Sequence, residues 1–194
     1  MSMSDEGTGL RARLIEAGVD LVAKEGANAL SLREIARRAG VSHGAPRRYF
    51  PTHLALLSAI ARRGFAELAE RATAAVGDGG ASPRAQLASL GRVYLDFALD
   101  NRGMYELMFR HDLLESNRLG LRDTSLPLFG VLVDLVARAR PGADARAVAG
   151  SLWANLHGIA QLWGWGSLQL ATGAVDFAPL LGTALDAHLG PEDQ

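Results

Sequence analysis

Cysteine is absent from this chain of 194 residues, and with it disulfides, thiolate catalysis and zinc sites built on cysteine. Lysine is almost absent: Lys24 stands alone, and arginine carries the rest of the positive charge. A GC-rich coding sequence accounts for that bias, as it does for the abundance of alanine and glycine. No His-Glu-x-x-His or Gly-x-Ser-x-Gly occurs, and no glutamate precedes a histidine by three residues. Metalloprotease, α/β-hydrolase and helical-bundle di-iron chemistry therefore have no footing. Gly164-Trp165-Gly166 follows a helical pattern, and Gln169 stands where a dinucleotide fingerprint needs its third glycine. The expectation is a protein that is not an enzyme and has neither cofactor nor metal site.

Charge is missing from residues 147–175, a stretch long enough to raise the question of a bilayer span. Ser151, Asn155, His157, Gln161, Ser167, Gln169 and Thr172 are spread through it, and five glycines interrupt it. A span needs about 20 predominantly apolar residues, so a buried central helix is the better reading. The first nine residues, MSMSDEGTG, have neither a basic segment nor an apolar run, so no secretory signal is read there. These features predict a cytoplasmic protein with no membrane partner.

The formal charge of −1 hides an asymmetry. Residues 10–72 hold eleven Arg and Lys against six Asp and Glu, whereas residues 73–194 hold nine against thirteen. A basic first third and an acidic remainder suit a nucleic-acid module joined to a domain with a different task. Apolar positions recur with helical period and no internal repeat is found, so the fold is expected to be all-α with about nine helices. We expect an arm over residues 1–9, a DNA-binding domain over 10–70 and a helical bundle over 71–190.

The helices expected are Leu10 to Glu25, Leu32 to Ala39, His43 to Phe50, a long one from after Thr52 to Val76, and then five more. These five begin at Pro83, near Met104, at Leu128, after Asp144 and at Phe177, with residues 111–127 less regular. The glycines and proline of 77–83 form the clearest linker.

Residues 31–57, SLREIARRAGVSHGAPRRYFPTHLALL, carry the most information. Leu32, Ile35, Ala36 and Ala39 make one apolar helix face. Ser31 and Glu34 read as a capping box, Gly40 as a left-handed helix end, and Ser42 as the cap of the next helix. This is helix-turn-helix logic, and the motif spans 31–50. His43, Gly44, Arg47 and Arg48 fall near the outer face of the second helix. Arginine can bond guanine O6 and N7 in bidentate fashion. Ser31, Arg33, Ser42, Tyr49 and His53 complete the candidate DNA contacts, because hydroxyls and helix N-termini suit phosphates.

The segment resembles the N-terminal domain of TetR-family transcriptional regulators. The resemblance rests on Gly26, Ser31, Ile35, Ala36, Ala39, Gly40, Val41, Ser42, Gly44 and Phe50. Arg47 stands where the family usually has an aromatic, and His53 where it usually has lysine. Downstream, Trp153-Ala-Asn-Leu-His157-Gly158 resembles the Trp-x-x-x-His-Gly signature of one class of TetR-family C-terminal domain. That class tends to share the His-Gly-Ala-Pro spelling of residues 43–46.

The resemblance implies a homodimeric regulator, usually a repressor, that binds an inverted-repeat operator in double-stranded DNA and is released by a small-molecule effector. Candidate pocket residues are Met104, Met108, Phe109, Phe129, Trp153, His157 and Trp163. Candidate dimer residues are Gly150, Ala154 and Gly158, a small-residue stripe, with Phe177, Leu181, Ala184, Leu185 and His188 on the last helix. That last stripe reads equally well as intramolecular core. The rival functions are a non-enzymatic helical dimer acting through protein partners and a transcriptional activator on the same scaffold.

Overall fold

The helical period of the apolar positions becomes helix almost throughout. The computed structural model describes residues 3–77 and 79–191, including all their side chains except those of residues 3–8 and 118. Eleven α-helices occur among the described residues, with no strand: α1 Met3–Glu25, α2 Leu32–Arg38, α3 Ala45–Tyr49, α4 His53–Val76, α5 Pro83–Asp100, α6 Arg102–Met108, α7 His111–Ser116, α8 Leu121–Ala139, α9 Ala145–Gly164, α10 Ser167–Thr172 and α11 Ala178–Leu189. The count exceeds the nine expected because α7 and α10 are six residues each, too short to display a period. α8 starts at Leu121 with Pro127 inside it. The expected start at Leu128 is seven residues late: Pro127 is the seventh residue of α8 and lies inside the helix, where it forgoes a backbone hydrogen bond. α1 already begins at Met3, within the stretch expected to be an arm.

The chain divides into two compact units, and the division is not the contiguous one at residues 70 and 71. One unit holds the chain up to Ala66 together with Asn101–Thr124; the other holds Glu67–Asp100 and the chain from Ser125 onward. The excursion of 101–124 into the first unit was not legible, because α6 is seated there by a backbone contact. A Cβ at Gly103 would lie 2.6 Å from the Val22 carbonyl oxygen and 3.0 Å from Gly26 Cα. Glycine lets α6 rest directly on the end of α1.

In the first unit Leu14, Gly18, Leu21 and Val22 face inward from α1, as their spacing predicts. A Cβ on Gly18 would collide with the Ile60 side chain, and Ile35 lies just beyond it, so α1 lies close on α4 and α2. Phe50, only 1% exposed, closes this core after α3. Burying such a ring contributes about 1.5–3 kcal/mol. In the second unit α5, α9 and α11 pack on one another, with Leu181 and Leu156 filling the hollow over Gly91. Asp144 caps α9 by accepting from the Arg146 and Ala147 amides at 3.1 and 3.0 Å. Such a cap contributes about 1 kcal/mol. The end of α11 is held by cations: Arg84 binds Asp186 and the Gly190 carbonyl, and Arg140 binds the His188 carbonyl. No described helix is long and apolar enough to cross a membrane.

Candidate nucleic-acid interface

The turn between α2 and α3 is set by backbone bonding. Gly40 has φ +67°. The Val41 amide donates to the Ala36 carbonyl at 3.0 Å, and the Gly40 amide to Arg37 at 3.2 Å. This is the Schellman arrangement, which satisfies the last carbonyls of α2 and reverses the chain. At the other end of α2 the Ser31 hydroxyl oxygen accepts from the Glu34 amide at 3.2 Å. Only half of the expected capping box forms, because the Glu34 carboxylate is held by Arg37 and Arg38.

α3 is shorter than the His43–Phe50 expected. Ser42, His43 and Gly44 form a turn, with the Ala45 amide bonded to the Ser42 carbonyl at 3.0 Å. Gly44, and not Ser42, occupies the N-cap, without a side-chain cap bond. Pro46 lies in the first turn, where its missing N–H does no harm. The helix stops at Tyr49 because Phe50 precedes Pro51, and a residue before proline is driven out of the helical region; Phe50 has φ −129° and ψ 97°.

On this frame Pro46 is buried, Ala45 and Tyr49 are half-buried, and His43, Gly44, Arg47 and Arg48 are exposed. Ser31, Arg33, Ser42 and His53 are exposed too. Charge pairing sorts the arginines. Arg38 bridges Glu25 and Glu34, Arg37 binds Glu34, and the two guanidinium groups hold the Glu34 carboxyl down at about 2. Among the described residues no carboxylate partners Arg33, Arg47 or Arg48, so their charge is free to meet phosphate. Ser31 accepts through oxygen and keeps its hydroxyl proton to donate.

Two arginines on α1 went unnoticed in the sequence. Arg13 Nη2 donates to the Ala39 carbonyl at 2.6 Å, tying the end of α2 to α1. Arg11 lies over the Phe50 ring at 5.3 Å, at the exit of α3. Both contacts join residues distant in sequence, and only their position on α1 opposite the turn could have signalled them.

Two family models match the chain. Residues 87–186 match the one described as tetracyclin repressor-like, C-terminal domain, and residues 14–60 the one described as bacterial regulatory proteins, tetR family. The chain belongs to the TetR family. A Rhodococcus sp. RHA1 protein of unknown function is 30% identical over 93% of each chain, with a TM-score of 0.79. A TetR-like transcriptional regulator from Rhodococcus sp. RHA1 is similar in fold at 21% identity, covering 94% of this chain and 97% of that one, with a TM-score of 0.69. So is the TetR-family regulator PfmR from Thermus thermophilus, at 16% identity, 94% and 100% coverage and a TM-score of 0.66. No curated protein matches.

For this TetR-family regulator the structure divides the expected pocket residues between the two units. Met104 and Met108 are buried in the first unit, filling the space over Gly64, and Phe109 meets Phe65 and Tyr105 edge-on at 5.7 and 4.9 Å. Met104 and Met108 thus belong to the packing of that unit, and Phe109 is half-buried beside them. Trp163 stands edge-on to Phe177 at 6.0 Å. Phe129, Trp153 and His157 do come together in the second unit, with ring centroids 6.0 and 6.1 Å apart along the series. Tyr94 joins them unforeseen. Its hydroxyl accepts from Trp153 Nε1 at 3.2 Å and lies 2.9 Å from His157 Nδ1. Burial lowers the His157 pKa, favouring the neutral imidazole, whose tautomer sets which of the two groups donates in the contact between Tyr94 and Nδ1.

The dimer candidates also divide. Phe177, Leu181 and Leu185 are buried within the chain, covered by the packing of α11 on α5 and α9, so the core reading of that stripe holds for them. Gly150 and Gly158 face open space, and Ala154 is exposed. A groove of about 340 Å³ runs between α9 and α11, with Gly158, Leu162, Leu168, Leu180 and Ala187 in its walls and Ala184 among its lining. At one end Asn155 lies 3.5 Å from the His188 ring.

Proposed function

We propose that this TetR-family regulator is a repressor that binds an inverted-repeat operator as a homodimer and leaves it when a small molecule binds. The observation that carries the reading is the exposure of Arg47 and Arg48, free of carboxylates, on a short helix held by a Schellman turn. α3 enters the major groove, where the arginines read base edges or bind phosphate. Ser31, Arg33, Ser42, His43, Gly44, Tyr49 and His53 serve the backbone of the duplex. Two copies pair through the α9–α11 groove and the Gly150–Ala154–Gly158 stripe, whose small residues permit close approach of helices. Half-sites then lie about 34–36 Å apart, or a multiple of that.

The effector binds beside Phe129, Trp153, His157 and Tyr94, an aromatic cluster with a few placed polar groups. It regulates only if it prefers the form whose recognition helices are misplaced for DNA. Gel retardation with DNA from upstream of the encoding gene tests the reading. Arg47→Ala or Arg48→Ala should abolish or greatly weaken the retarded band, and wild-type binding should fall steeply with salt as phosphate contacts release counterions. Undiminished retardation by both variants, or binding indifferent to salt, would favour a protein partner instead.

A further inference from the structure

Most basic side chains of the first unit are engaged within it. Arg37 and Arg38 hold Glu34, Arg63 pairs with Glu16 at 3.4 Å, and Arg62 donates to the Leu119 carbonyl. On α1, Lys24 pairs with Asp20 at 2.9 Å, and Arg13 donates to the Ala39 carbonyl. Arg11 is the exception on that helix. It is exposed, and among the described residues neither a carboxylate nor a carbonyl takes its N–H groups. The first carboxylate after it on α1, Glu16, is the one that Arg63 holds. The Arg11 guanidinium lies instead over the Phe50 ring, 5.3 Å from the centroid. Two other arginines stand over rings, Arg71 on Phe97 and Arg92 on Phe177, and each also has a carboxylate one turn away, Glu67 and Asp96. The ring face attracts a cation without using up a donor, so Arg11 is held in place with its hydrogen bonds still to make.

Phe50 fixes where that charge stands. It follows Tyr49, the last residue of α3, and its ring is anchored in the core at 1% exposure. Arg11 is thereby held at the exit of α3, where Pro51, Thr52 and His53 are exposed. A major groove is about 12 Å wide, so a helix lying in it has backbone phosphates close to its ends. We infer that Arg11 binds a backbone phosphate of the duplex that α3 enters, so that α1 as well as the helix-turn-helix holds the DNA. The planar fork of a guanidinium suits two phosphate oxygens, and such a contact carries no sequence information. The inference rests on the DNA reading above, and its test tells the failure of one from the failure of the other.

Arg11→Met keeps a long apolar stem over Phe50 and removes the charge, whereas Arg11→Lys keeps the charge. Fluorescence anisotropy gives the affinity of each for DNA from upstream of the encoding gene and for unrelated duplex of equal length, over a range of salt. Arg11→Met should reduce the slope of log affinity against log salt by about 0.9 for each subunit seated on the duplex. It should weaken both duplexes by the same factor and leave their ratio unchanged, while Arg11→Lys keeps the wild-type slope. A wild-type slope in Arg11→Met would overturn the inference, make Arg11 a cover for Phe50 alone and leave the DNA reading standing. Equal loss of slope in both variants would overturn it too, since the charge would not be the cause. A fall of about ten-fold in the ratio would make Arg11 a reader of bases. Wild-type protein that binds neither duplex, or binds without regard to salt, would remove the DNA reading and the role of Arg11 with it. Should Arg11→Met lower the melting temperature, Arg11→Gln is judged by the same slope.

Discussion

Substituting alanine for two glycines, Gly103 and Gly130, should move stability in opposite directions. At Gly103 the new methyl would lie 2.6 Å from the Val22 carbonyl oxygen and 3.0 Å from Gly26 Cα. Both atoms are backbone, so no side chain can swing aside, and α6 must withdraw from α1. Overpacking of this kind costs about 1–3 kcal/mol, while alanine returns at most about 1 kcal/mol of helix propensity. The net is a loss of up to about 2 kcal/mol for Gly103→Ala, the difference of those two effects. At Gly130, inside α8, a Cβ meets nothing within 4 Å, so alanine should stabilise by about 0.5–1 kcal/mol. Thermal melting followed by circular dichroism reads both. At about 2–4 °C per kcal/mol for a chain of this size, Gly103→Ala should lower Tm by up to about 8 °C and Gly130→Ala should raise it. A Gly103→Ala protein that melts at or above the wild type would refute the claim that α6 and α1 touch through their backbones.

Arg13→Ala should weaken DNA binding through the lost tie to Ala39 yet leave the slope of affinity against salt unchanged, since that slope counts phosphate contacts; a reduced slope would make Arg13 a contact residue. Glu34 titrates at about 2 in the folded chain, below its ordinary 4.5, so its pairing stabilises fully above about 4.5 and fades as pH falls towards 2. Urea unfolding should therefore show Glu34→Gln less stable than wild type at neutral pH, with the gap closing in acid; a gap independent of pH would contradict it. His157 is a base whose folded pKa lies below 6.5, so the unfolded chain binds its proton first and stability is lost as pH falls below about 6.5. His157→Gln should flatten that limb of the pH profile, and an unaltered limb would place the loss elsewhere.

The helix-turn-helix was legible because its signals are local. Ser31, the Ile35–Ala36–Ala39 face and Gly40 act within one or two turns, and the structure uses each of them. The second capping half failed because Arg37 and Arg38, three and four residues on, hold Glu34 more strongly than the Ser31 amide can. Ser42 failed as a cap because Gly44 and Pro46 delay the start of α3. Arg11 and Arg13 were invisible because their partners lie on other helices. The packing of Met104 and Met108 was hidden for a related reason: the hollow that they fill is left by Gly64 on α4, forty residues or more away in sequence. The stripe on α11 fitted core and interface equally; the packing of Leu181 on Gly91 makes that residue core, while Ala184 lines the groove.

The central claim is that α3 reads a duplex through Arg47 and Arg48. Its most direct test is the ratio of affinities for upstream DNA and for unrelated DNA of equal length, at one salt concentration, in the wild type and in the Arg47→Ala, Arg48→Ala double variant. Each bidentate base contact discriminates by about 1–3 kcal/mol, so the double variant should lose at least about ten-fold of the ratio while its helix content stays the same. A ratio that survives both substitutions intact would contradict the account.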